Sequence, residues 1–116
     1  MQLDLSRNAL GAKGAKALAD GGAFNGALSS LSLFNNHIGQ DGAEAIAAAI
    51  AASGVVPTTL ILRYNDINLG GAQALAKAIT SIESAATVRV DMRSNIVTHR
   101  EWRACWEAGV EAQLAC

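Results

Sequence analysis

Apolar and polar positions alternate in four short phrases along the chain: Leu3-Asp4-Leu5-Ser6-Arg7-Asn8, Leu31-Ser32-Leu33-Phe34-Asn35-Asn36, Leu60-Ile61-Leu62-Arg63-Tyr64-Asn65 and Val90-Asp91-Met92-Arg93-Ser94-Asn95. Alternation over that length predicts a short strand whose first and third residues face a core and whose intervening residues face out. The closing asparagines stand 28, 29 and 30 residues apart. A period in the high twenties predicts a stacked solenoid, not a closed globule.

An asparagine side chain carries two donors and an acceptor, so it can satisfy the backbone of the bend that ends each strand. Stacked bends then let successive amides tie neighbouring repeats together, which predicts a buried ladder of Asn8, Asn36, Asn65 and Asn95. Two positions on stands an apolar residue (Leu10, Ile38, Ile67, Val97), followed by Gly11, Gly39, Asn68 and Thr98, expected as helix N-caps. Thr98 with Glu101 has the spacing of a capping box. The alanine-rich stretches beyond carry apolar residues at helical spacing and align in columns: Ala15, Ala43, Ala72 and Trp102; Leu18, Ile46, Leu75 and Cys105; Ala19, Ala47, Ala76 and Trp106. The predicted unit is one strand, one bend and one helix, and the returns are Gly21-Gly22, Ser53 to Pro57 and Ser81 to Ala86.

The pattern L-x-x-L-x-L-x-x-N-x-I-G-x-x-G-A, clearest from Leu28 through Leu31, Leu33, Asn36, Ile38, Gly39 and Gly42 to Ala43, resembles a leucine-rich repeat of the ribonuclease-inhibitor type. The likeness covers nearly the whole chain. It is close in the second and third repeats, good in the first and degenerate in the fourth, where Arg100 and Glu101 replace glycines and Val90 and Met92 replace leucines. The resemblance implies an α/β horseshoe segment of about four strand-helix repeats, with a parallel sheet on the concave side and helices on the convex side. The expected division is a single domain, 1–116, with repeats at about 1–27, 28–56, 57–86 and 87–116. Similar repeats occur in ribonuclease inhibitor, nucleotide-binding immune receptors, tropomodulin and the Ran GTPase-activating protein, which implies an intracellular binding scaffold.

Composition narrows the function classes. At 116 residues and a formal charge of −1, the chain has enough length for a modest elongated core and too little positive charge for a general nucleic-acid binder. No apolar run reaches the length of a membrane span, and no secretory leader is legible. Cys105 and Cys116 would lie about 16 Å apart in one continuous helix at ~1.5 Å per residue, too far to bridge. Free thiols in a reducing, cytoplasmic compartment are the expectation.

The two ends differ. No capping element precedes Leu3, so its end is expected to be covered by another chain or by further repeats. At the other end Trp102 and Trp106 replace small alanines, which would block another repeat from stacking in the same way. They are expected to cap the core, with docking of a partner helix as the second reading.

The concave face carries the binding expectation. Its outward residues include Asp4, Phe34, Ile61, Arg63, Tyr64, Asp91 and Arg93, and two of only five aromatic residues, Phe34 and Tyr64, fall among them. Aromatic and arginine side chains are the usual anchors of protein interfaces; a bare stack of Arg63 on Phe34 is the competing reading. His37 and His99 are not paired at ligand spacing, and Asp41, Glu44 and Asp66 have structural roles near helix starts. Gly70-Gly71 could cradle a phosphate, but glycine recurs at Gly14 and Gly42 with the repeat. No catalytic, metal-binding or cofactor-binding residues are assigned. The leading function is a non-catalytic protein-interaction module or scaffold subunit, ahead of a regulator of a small GTPase or nuclease and of a nucleic-acid-binding face.

Overall fold

The computed structural model describes residues 1–82 and 88–105, together with the backbone of residues 113–115. Strands and helices alternate: β1 (Gln2–Asp4), α1 (Gly11–Asp20), β2 (Ser30–Ser32), α2 (Gly39–Ser53), β3 (Thr59–Ile61), α3 (Leu69–Thr80), β4 (Arg89–Asp91), α4 (His99–Ala104) and β5 (Gln113–Ala115). All the strands lie in one sheet in chain order, and each neighbouring pair is parallel. Parallel neighbours need a crossover, and here each crossover from β1 to β4 carries a helix. The register aligns Leu3, Leu31, Leu60 and Val90.

Leu31, Leu33, Leu60, Leu62 and Val90 are fully buried and Met92 nearly so, as the alternation requires. They meet the inner faces of the helices, where Ala15, Ala43, Ala72 and Trp102 are also fully buried. Three of those four are alanines because the helices pack very closely there. A Cβ added at Gly42 would overlap Ile38 Cγ2 and come within 3.2 Å of Ala15 Cβ; one at Gly71 would stand 3.0 Å from Ala43 Cβ. The first repeat is less enclosed, with Leu3, Leu5, Leu10 and Leu18 only half-buried.

The asparagines bind as the spacing suggests. In Asn36, Asn65 and Asn95 the Oδ1 accepts backbone N–H groups of the preceding repeat, and the Nδ2 donates to carbonyls of its own repeat and to one of the preceding repeat. Asn36 accepts from Asn8 at 2.8 Å and donates to Leu5 and Leu33 carbonyls at 2.9 and 3.0 Å. Asn65 and Asn95 repeat the arrangement one and two units further on. The ladder is not buried throughout. Asn36 and Asn65 are fully buried and Asn95 partly, but Asn8 is exposed, since no described rung lies on its outer side.

Helices start in two ways where one was expected. Asn68 and Thr98 are side-chain caps, accepting from Gly71 N at 3.0 Å and Glu101 N at 3.1 Å, and Thr98 with Glu101 completes a capping box. Gly11 and Gly39 are not caps of that kind. Their φ values of +63° and +65° show that glycine stands there to turn the chain through the left-handed region.

The last segment adds a strand to the sheet. α4 ends at Ala104 after 6 residues, and β5 continues the sheet beside β4 with Leu114 opposite Val90. The sheet therefore runs past the fourth strand, whose edge pairs with another. Because the helix ends early, the helical separation of Cys105 from Cys116 no longer applies. Cys105 is a free, half-buried thiol; Trp106, Glu107, Glu111, Cys116 and the return from residue 83 to 86 lie outside the described residues.

Candidate functional site: the concave face of the sheet

Beyond the strands, Arg7 N donates to Phe34 O at 2.8 Å, Asn35 N to Arg63 O at 3.0 Å and Tyr64 N to Arg93 O at 3.1 Å. The ladder thus continues into the bends and sets Phe34, Arg63 and Arg93 side by side at about the 4.8 Å spacing of neighbouring strands. The bends themselves are unusual. Arg7, Ala9, Asn35, His37, Tyr64, Asp66 and Ser94 all have φ between 50 and 63°, left-handed values that side chains with a Cβ rarely adopt.

Phe34 is the centre of the site. The Arg7 and Arg63 guanidinium carbons stand 5.4 and 5.6 Å from its ring centroid, inside cation–π range. The Tyr64 ring meets it edge-on at 6.1 Å with an interplanar angle of 90°, the favoured geometry for an aromatic pair. Tyr64 remains 56% exposed. Among the described residues no carboxylate lies within ion-pairing reach of Arg7 or Arg63. The Arg63 Nε is moreover buried without a hydrogen-bond partner among them.

One row over, charge is handled differently. Asp91 is only 3% exposed and binds Arg93 through two oxygens, Oδ1 to Nε at 2.9 Å and Oδ2 to Nη2 at 2.6 Å. Burial pushes the Asp91 carboxyl up, but the side-chain and backbone hydrogen bonds of Arg93 and the charges of Arg93 and Arg63 outweigh it. The net effect is a lowered pKa. Asp91 therefore holds Arg93 in place and is not the open contact residue its outward position suggested.

The remaining expected residues divide. Asp4 is exposed and accepts from both the backbone and the hydroxyl of Ser6, which hold its carboxyl below the usual range. Ile61 is half-buried within the sheet face. Trp102 is fully buried, so it fills the core and offers no docking surface. Arg7 joins the aromatic cluster although it lies one position nearer its asparagine than Phe34 or Arg63 does. It comes beside Phe34 in the bend, where its backbone N–H donates to Phe34 O, a contact that strand parity does not give.

The chemistry available elsewhere is modest. His37 Nδ1 and Asp66 Oδ2 face each other at 3.4 Å on the bend rim, both largely exposed. No cluster of three or more metal-ligating side chains occurs among the described residues. The Gly71 amide is occupied by the Asn68 cap, which leaves the Gly70-Gly71 pair explained by helix packing.

The family model for the leucine-rich repeat matches residues 1–19, 27–47 and 58–76. The chain belongs to the leucine-rich repeat family. Each matched segment holds one strand, its asparagine bend and the first part of a helix, and the degenerate phrase from Val90 to Asn95 lies outside them. No curated protein matches the chain. Leucine-rich repeat proteins commonly bind protein partners, and none of the helices among the described residues of this one is long and apolar enough to cross a membrane.

Proposed function

We propose that this leucine-rich repeat chain is a non-catalytic protein-interaction module of the ribonuclease-inhibitor type, acting in the cytoplasm as a single-domain scaffold element. Its partner is captured on the concave face around Phe34. The observation that carries this reading is the aromatic pair Phe34–Tyr64 flanked by two arginines without carboxylate partners. Aromatic rings and arginines lose little freedom when already held by neighbours, so they supply contact area and hydrogen bonds at low ordering cost. The backbone ladder and the asparagine rungs beneath hold this surface in one geometry.

Replacing Phe34, Arg63 and Tyr64 together by alanine tests the reading. Proteins that co-purify with the wild-type chain should be lost, while the far-ultraviolet dichroism spectrum keeps its helical shape. Retention of the same partners by the folded variant would refute it. Regulation of a GTPase or nuclease rests on Arg63 more than on Arg93, which is tied to Asp91.

A further inference from the structure

We propose that the stack of Arg7, Phe34 and Arg63 is a carboxylate receptor, and that the concave face takes an acidic segment of a partner protein. The inference rests on the concave-face reading above and adds the chemistry of the partner.

Two separate observations support it. The first is charge balance. Asp91 binds Arg93 through a two-point contact and feels Arg63 only through its charge, whereas neither Arg7 nor Arg63 forms an ion pair among the described residues. The second is preparation. Both guanidinium carbons lie over one ring within cation–π range, a contact that restrains the groups without using their N–H donors, which can pair with the oxygens of a carboxylate. Arg63 is further committed, because its Nε is already out of water without a partner. The Arg63 side chain is half-buried, so its attraction for an incoming anion is less screened than that of a fully solvated cation. Tyr64, exposed beside the stack, adds a hydroxyl donor and an aromatic edge for an apolar residue next to the acid.

A protein acid fits better than a nucleic acid. A phosphate backbone calls for a track of positive charge, but Asp4 lies on the same face with its charge held by Ser6, and the whole chain carries −1. Two adjacent arginines suit one or two carboxylates on a short extended segment.

The test uses the full chain and fluorescence anisotropy with three labelled probes: a glutamate-rich peptide with one central leucine, its glutamine counterpart, and a single-stranded oligonucleotide. The expected result is saturable binding of the glutamate peptide, at least about tenfold weaker binding of the glutamine peptide, and weakening with added salt. Arg7→Ala and Arg63→Ala should each weaken the glutamate peptide by about tenfold, and Arg63→Lys should fall between, since lysine keeps the charge and loses the planar fork. Arg103→Ala, on the exposed side of α4, should change nothing. Equal binding of the two peptides, stronger binding of the oligonucleotide, or wild-type affinity in the two alanine variants would overturn the proposal. So would absence of glutamate-peptide binding; if partner capture still depended on Phe34 and Tyr64, the concave-face reading would stand without it. The peptide comparison requires no variant and decides the matter whatever the substitutions do to folding.

Discussion

Asn65 Oδ1 accepts the backbone N–H of Asn36 at 2.8 Å, so a side chain of the third repeat completes the bend of the second. The same Asn65 side chain donates to the Leu33 and Leu62 carbonyls at 2.7 and 3.1 Å. All of this happens at a fully buried residue.

Asn65→Ala strands those partners away from water. With about 1–3 kcal/mol for each buried polar group left unsatisfied, the loss should amount to several kcal/mol. Asn8→Ala should lose about 1 kcal/mol or less, because its amide serves only the exposed carbonyls of Leu5 and Ser6. Urea denaturation of both variants measures the difference. Equal losses would mean that the ladder does not bind repeat to repeat.

Much of this was legible in the chain itself, since a repeated alternation fixes which residues face the core and a repeated amide fixes where the strand ends. What was not legible depended on neighbours in space. Asp91 reads as an outward residue by strand parity, yet its burial follows from pairing with Arg93 two residues on and from the strand beside it. Arg7 is not legible as a member of the aromatic cluster because it occupies a different repeat position from Arg63. Among the left-handed residues Arg7, Ala9 and Tyr64 carry no sequence signal of such a turn, whereas Asn35, His37 and Asp66 are of types that tolerate it. Gly11 and Gly39 pointed to the right places for the wrong reason.

Gly42→Ala reverses the ordinary helix rule. Alanine is better than glycine by about 1 kcal/mol in an unconstrained helix, but at Gly42 the added methyl overlaps Ile38 and presses on Ala15 across the α1–α2 contact. Overpacking of this kind costs ~1–3 kcal/mol. The variant should melt below the wild type in a thermal scan. A rise in melting temperature would show that the helices have room to separate.

Acid should weaken the fold through Asp91. Its carboxyl pKa is lowered in the folded chain, so its contribution is fully present above the unfolded value of about 3.9 and is lost as pH falls through the folded value. Stability measured by denaturant from neutral pH down into that range should decline, and Asp91→Asn should flatten the decline. Asp91→Asn should also be less stable than the wild type at neutral pH, because Arg93 loses its two-point ionic partner. An unchanged acid slope in the variant would place the sensitivity elsewhere, with Asp4 the next carboxylate to replace.

Tyr64 joins backbone strain to the binding surface. Its φ of +63° is a conformation that costs a residue with a Cβ about 1–2 kcal/mol, and the N–H bond to Arg93 O holds it there. The corresponding Arg7, Asn35 and Ser94 share that φ, so the turn belongs to the repeat, and of these four Tyr64 is the one that places an exposed aromatic ring on it. Two truncations separate these terms. Tyr64→Ala removes the edge contact with Phe34, worth about 0.5–1.5 kcal/mol, and keeps the strain. Tyr64→Gly removes the same contact but relieves the strain, which offsets the greater freedom of glycine in the unfolded chain, about 0.4–1 kcal/mol. Tyr64→Gly should therefore be more stable than Tyr64→Ala by up to about 1 kcal/mol, the reverse of their order in a helix, while both lose affinity for the concave-face partner to a similar degree. Chemical denaturation of the pair gives the first comparison and anisotropy titration the second. Were alanine the more stable of the two, the left-handed turn at Tyr64 would carry no strain.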